Sequence, residues 1–299
     1  MSESQVLSAL APWKTKRSRD YELSWTKSTE SLLGDNPLIE LRSNKDGSRW
    51  TAYNKATDKM AIFFHCAVWA WASPPETGNF VLEGESAPEG AHLSRILPVL
   101  SRFIETSYTI NTEEDPSFYQ GARIIEDHAT SLPDFNKYKK PRRSWQEGES
   151  EFSRRRFILS ARLIIRRTPH NSKQGEVPPL PYKLHPWLQK AIDAQKYPIF
   201  MPNPEMPAIL DYVDGKLQLL RPTGHRYFQN GDLVWFSFAL SFDVNNTNWI
   251  PEYKPLDFIR VGGLPRTSEN RVEYSVAQEV GSAYRSLSSG AATLLDDGA

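Results

Sequence analysis

Between Gly231 and Gly263 the chain alternates in a way that fixes one element before any other. Val234, Phe236, Phe238, Leu240, Phe242 and Val244 are apolar at every even position, while the odd positions run from Leu233 and Trp235 through Ser237, Ala239 and Ser241 to Asp243. A period of two held for about twelve residues predicts a long strand with one face in a core. Leu256–Val261 is its predicted partner. Met60–Ala72 carries apolar residues on both faces, the signature of a central strand covered on both sides.

Turn signals set the hairpins. Lys45-Asp46-Gly47 joins Leu38–Arg42 to Arg49–Tyr53, and Asp214-Gly215 joins Ala208–Val213 to Lys216–Arg221. Phe157, Leu159, Ala161, Leu163 and Ile165 predict a further strand, with Ser160, Arg162 and Arg166 on its opposite face beside Ile158 and Ile164. Leu93, Ile96, Leu97, Leu100 and Ile104 recur at helical spacing around Pro98, which leaves an amphipathic helix and a bent strand both open. Phe118–Glu126 reads equally as strand or helix. Short helices are expected over Trp187–Gln195, behind Pro186, and near Val276–Ser286.

The fold class that results is mainly β, a β-rich α+β chain built as an antiparallel sandwich or partly open barrel with few short helices. Its segments are a flexible basic arm (1–35), a β-rich unit with a basic strand (36–176), a Pro-rich connector with a short helix (177–207), the β hairpins and long core strand (208–264), and a flexible tail (265–299). The two β stretches repeat the order Asn-Pro, alternating run, Asp-Gly turn, long aromatic strand. They are either two related units or one sheet that uses common hairpin chemistry twice.

Composition narrows the chemistry. The 299 residues balance 36 Lys and Arg against 36 Asp and Glu, so attraction to a polyanion must come from a patch. Cys66 is the one cysteine, which excludes an intramolecular disulfide and favours a reducing compartment. No run approaches the roughly 20 apolar residues of a membrane span, so no membrane partner is expected and the nucleus or cytoplasm is the expected location. His65, His92, His128, His170, His185 and His225 are scattered, with no pair at i, i+4. His65 and Cys66, adjacent on a strand, point to opposite faces. No nucleophile elbow, P-loop or G-x-G-x-x-G occurs, and no catalytic residue, metal or cofactor is expected.

One segment stands out in charge. From Lys137 to Arg167 eleven Lys and Arg face only Glu147, Glu149 and Glu151. Tyr138, Lys139, Lys140, Arg142, Arg143, Trp145, Arg154, Arg155, Arg156, Arg162 and Arg166 have the ingredients of a single-stranded nucleic-acid groove, with cations along the phosphates and the two aromatics stacking bases. The expectation is therefore a non-enzymatic nucleic-acid-binding protein. The competing reading is that the arginines pair with the three glutamates and keep a sheet face soluble. Arg142-Arg143 and Arg154-Arg155-Arg156, ten residues apart, also resemble a bipartite nuclear import signal, and Lys139-Lys140-Pro141-Arg142 a monopartite one; either implies an import carrier as partner. The alternative function is a structural or adaptor protein that forms a homo-oligomer or binds protein partners. Pro178–Pro181 would serve there as a polyproline ligand, or simply as a stiff linker.

Overall fold

A computed structural model describes residues 3–74, 76–78, 104–143, 156–168, 183–197, 199–220 and 227–264. In chain order the strands are β1 (Leu23–Ser24), β2 (Ile39–Ser43), β3 (Arg49–Asn54), β4 (Lys59–Met60), β5 (Ile62–Ala72), β6 (Glu105–Asn111), β7 (Arg156–Arg162), β8 (Ile164–Arg166), β9 (Phe200–Pro202), β10 (Ala208–Val213), β11 (Lys216–Leu219), β12 (Asp232–Val244) and β13 (Trp249–Gly263). The described helices are α1 (Glu3–Lys14), α2 (Trp25–Ser31), α3 (Ser117–Ser131) and α4 (Pro186–Asp193). The protein is mostly β, and strands from both predicted β stretches belong to one mixed eleven-stranded sheet.

The order along that sheet is β11-β10-β13-β12-β5-β6-β7. β12 forks: it pairs with β5 from Leu233 to Ala239 and with β3 from Ser241 to Asp243. Phe157 of β7 meets Tyr253 of β13 edge to face at 5.0 Å, yet β7 does not join the β13 ladder, so the sheet curls without closing. Inside the curl lie Phe236, Phe238, Phe242 and Phe258 with Phe63, Phe118 and Trp25. On the other face, Leu233 and Trp235 of β12 and Phe64, Cys66 and Val68 of β5 pack under Val6 and Leu10 of α1. That second layer is why both faces of Met60–Ala72 are apolar.

β13 is longer than its predicted core, Leu256–Val261, because Pro251 and Pro255 do not break it. The Trp249 N–H points away from β12 to the Pro141 carbonyl at 3.1 Å. Pro251 and Pro255 share that phase, so their missing N–H groups take no bond from the β12 ladder.

Two expectations change and one open reading is settled. Residues 1–35 were expected as a flexible arm; from Glu3 they form α1, β1 and α2, and Trp25 is fully buried against Phe63, Phe118 and Phe238 at 5.2–5.4 Å. Burying an indole of about 200 Å² at about 25 cal/mol per Å² is worth about 5 kcal/mol, enough to order a short segment. Phe118–Glu126 lies within α3, whose Gly121 lets the helix backbone reach Trp25; the indole Nε1 donates to the Phe118 carbonyl at 3.0 Å. The strand predicted over Phe157–Ile165 is two strands. Leu163 and Ile164 are consecutive and both fully buried, beside Leu184, Leu188 and Ile192, which no single alternating strand allows. Residues 79–103, 144–155, 169–182 and 265–299, with the expectations placed on them, lie outside the described residues.

Candidate nucleic-acid interface

After α3 the chain turns through Phe135 and lays residues 141–143 along the start of β13. Arg142 bridges Trp249 in parallel register, and the Arg143 N–H donates to the Trp249 carbonyl at 2.8 Å. Asn136 shapes the turn before it. Its side-chain oxygen accepts the Lys140 N–H at 2.9 Å and its amide donates to the Lys140 carbonyl at 2.8 Å, while Asn136 and Lys139 adopt left-handed φ of 47° and 50°. This tight loop carries Tyr138 outward at 83% exposure. The Lys140 ammonium lies 5.3 Å from the Tyr138 ring and also donates to the Asn245 carbonyl in the β12–β13 turn.

Arg142 is differently employed. Its guanidinium forks onto Glu126 of α3 at 2.6 and 2.8 Å and sits 5.9 Å from the Trp249 ring. It ties the ribbon to α3 and β13, and a phosphate would have to displace a bidentate carboxylate to use it.

The β7 arginines are spread out. Arg156 and Arg162 occupy opposite ends of the strand, about 20 Å apart at about 3.3 Å per residue, opposite Asn111 and Glu105 of β6. Arg166 belongs to β8, which pairs with β9 in a separate two-stranded sheet, so Arg162 and Arg166 do not share one strand face as expected. Trp145, Arg154 and Arg155 lie outside the described residues.

Two of the predicted cations nevertheless converge through a carboxylate. Burial raises the Glu105 pKa, and the charges of Arg162 and Arg143 oppose that rise. Burial and Glu252 likewise raise Asp243, opposed by Arg49 and Arg162. Arg49 in turn donates to Ser241 and Glu252, each at 2.8 Å. Arg49, Arg143 and Arg162 thus meet Glu105, Asp243 and Glu252 in a patch of mixed charge. Sequence reading missed the three carboxylates because they come from β6, β12 and β13, far from the basic segment, and no local pattern marks them.

Among the described residues, no group of three or more His, Cys, Asp or Glu is placed to hold a metal ion. His65 faces Phe118 and Phe236 at 5.4 and 5.9 Å, and Cys66 lies in the layer under α1, where burial pushes its thiol pKa up and leaves it inert. No described helix is long and apolar enough to cross a membrane.

No family model matches the chain, and no curated protein matches it. Among solved structures, the single-stranded DNA-binding protein from bacteriophage Enc34 aligns over 78% of this chain and 96% of its own, at 8% identity and a TM-score of 0.32. Similarity at that level establishes neither a common fold nor a common ligand.

Proposed function

We propose that the protein binds single-stranded nucleic acid without catalysing a reaction, through the ribbon 138–143 and the adjoining end of β7. The observation that carries this reading is Tyr138, an aromatic ring 83% exposed and held out by a side-chain-locked turn, with the Lys140 ammonium 5.3 Å from it. An exposed ring offers a face on which a base stacks, and the cations beside it track the phosphates. Lys139, Lys140, Arg143 and Arg162 take the phosphate role, with Arg156, Arg166 and the Arg154-Arg155 pair extending it and Trp145 as a second stacking residue. Arg142 is a positioning residue that keeps the ribbon on β13.

The test is fluorescence anisotropy with a labelled oligothymidylate across a salt series. Each phosphate neutralised contributes about −0.7 to the slope of log K against log salt for a single strand. Four contacts give a slope of about −3, and Lys139→Ala with Lys140→Ala should make it shallower by about 1.4. Tyr138→Ala should weaken binding about five- to hundredfold with the slope unchanged. Absence of binding at low ionic strength would overturn the reading.

A second reading, self-association as a structural protein, is favoured by β11. It is the last strand of the sheet path, and its Leu217 and Leu219 are 39% and 53% exposed. Among the described residues nothing pairs with its outer edge. An apolar edge of this kind accepts another strand, and a second copy placed antiparallel would join β11 to β11 about a two-fold axis.

A further inference from the structure

The ladder between β5 and β6 slips. Trp69 pairs with Ile110 and Trp71 with Thr109, so Ala70 is an unpaired bulge residue. Bulges re-aim side chains at sheet rims and beside functional sites. Here Trp71 reaches 41% exposure while Trp69 stays buried against Phe228 at 4.8 Å. Between them lies a cavity of about 50 Å³ lined by both tryptophans with Thr106, Tyr108, Tyr227 and Phe228. That is room for about four waters, at about 10–15 Å³ each, and so for the edge of a planar ring rather than a whole nucleotide. The wall is aromatic and aliphatic except for a few polar groups, among them the Thr106 hydroxyl, which is buried and has no hydrogen-bond partner. A buried hydroxyl left unpaired costs about 1–3 kcal/mol, so a ligand that supplies its partner recovers that cost.

We propose that this cavity takes the edge of one nucleobase, whose ring stacks on Trp71 with its hydrogen-bonding edge toward Thr106. The inference rests on the nucleic-acid reading above and adds a second base position, built from residues other than Tyr138. Its test uses the full chain with two probes, labelled oligothymidylate by anisotropy and thymidine monophosphate by tryptophan fluorescence. Trp71→Ala changes a half-exposed ring and leaves the core intact. It should weaken oligothymidylate about five- to hundredfold and abolish the part of the fluorescence change that thymidine monophosphate produces. Thr106→Val keeps the shape, removes the hydroxyl and should weaken both probes about two- to tenfold. If the oligonucleotide binds and neither substitution alters its affinity, the cavity is not a base site while the wider reading stands. If the oligonucleotide does not bind but thymidine monophosphate quenches wild type and not Trp71→Ala, the wider reading fails and the cavity survives. Silence from both probes ends both.

Discussion

Glu22 is a side chain whose chemistry departs far from its usual range. It is fully buried, and burial raises its pKa to about 7 against the pull of the Arg19 and Ser18 N–H groups and the Arg19 guanidinium. Arg19 is shared with Asp257, which it holds at 2.8 and 3.4 Å. A carboxyl raised from 4.5 keeps its proton longer in the folded protein than in the unfolded chain, so it contributes stability below about pH 4.5 that is lost as pH rises through 7. Glu22→Gln imitates the protonated form. Its stability advantage over wild type should therefore grow from near zero at pH 4.5 to about 3 kcal/mol above pH 7, at about 1.36 kcal/mol per pKa unit. Urea midpoints measured from pH 4.5 to 8 check this, and a difference independent of pH would contradict it. Wild type itself should look flatter than Glu22 alone dictates. His65 is buried and its pKa lowered, mainly by burial, so the unfolded chain takes up a proton below about pH 6.5 that the folded histidine refuses. The two slopes oppose each other between about pH 5 and 6.5, and Glu22→Gln should uncover the acid limb that belongs to His65.

Gly121 in the middle of α3 shows packing overruling propensity. Alanine there would gain about 1 kcal/mol of helix propensity. Its Cβ, however, would stand 2.4 Å from Trp25 Nε1 and 3.0 Å from Thr29 Oγ1, and the indole has no room to give. Overpacking of this kind costs about 1–3 kcal/mol, so Gly121→Ala should be destabilising on balance, with thermal melting as the readout. An unchanged or raised melting temperature would mean that α3 can slide on α2. The same contact explains what could be read from the chain and what could not. The hairpins at Gly47 and Gly215 and the strand from Asp232 were legible, since alternation and turn chemistry are local. α3 was ambiguous because its buried stripe, Phe118, Ala122, Ile125 and Ala129, makes sense only once Trp25 supplies the other half of the contact. The break at Leu163 was illegible for the same reason: the surface that buries Ile164 comes from α4, some twenty residues further on. Of the candidate interface, the residue types and the 138–143 cluster were readable. The engagement of Arg142 by Glu126 and the acidic neighbours of Arg162 were not, being products of the curl.

The balance of 36 against 36 charges leaves no net field to draw a polyanion in. Any nucleic-acid affinity must be local, and the mixed patch around Arg162 sets phosphate in competition with Glu105 and Glu252. Self-association makes a separate demand on the same molecule. If β11 recruits a second copy, light scattering after size exclusion should give a dimer that falls to monomer in Leu217→Lys with Leu219→Lys, because charges on an edge strand block pairing. Monomeric wild type at tens of micromolar would remove that reading and leave nucleic-acid binding unaffected. One feature of the fold also reaches into time. Arg19 meets Asp257 across 238 residues, and the Trp235 indole donates to the Lys16 carbonyl across 219. The strand that completes the N-terminal layer is thus the last one described, and contacts of such separation form slowly. A chain growing from the ribosome would hold Trp25, Phe63 and Phe64 without their β12 partners until residues 232–264 emerge. The interval before those residues appear is when this protein is most exposed to aggregation and most dependent on chaperones.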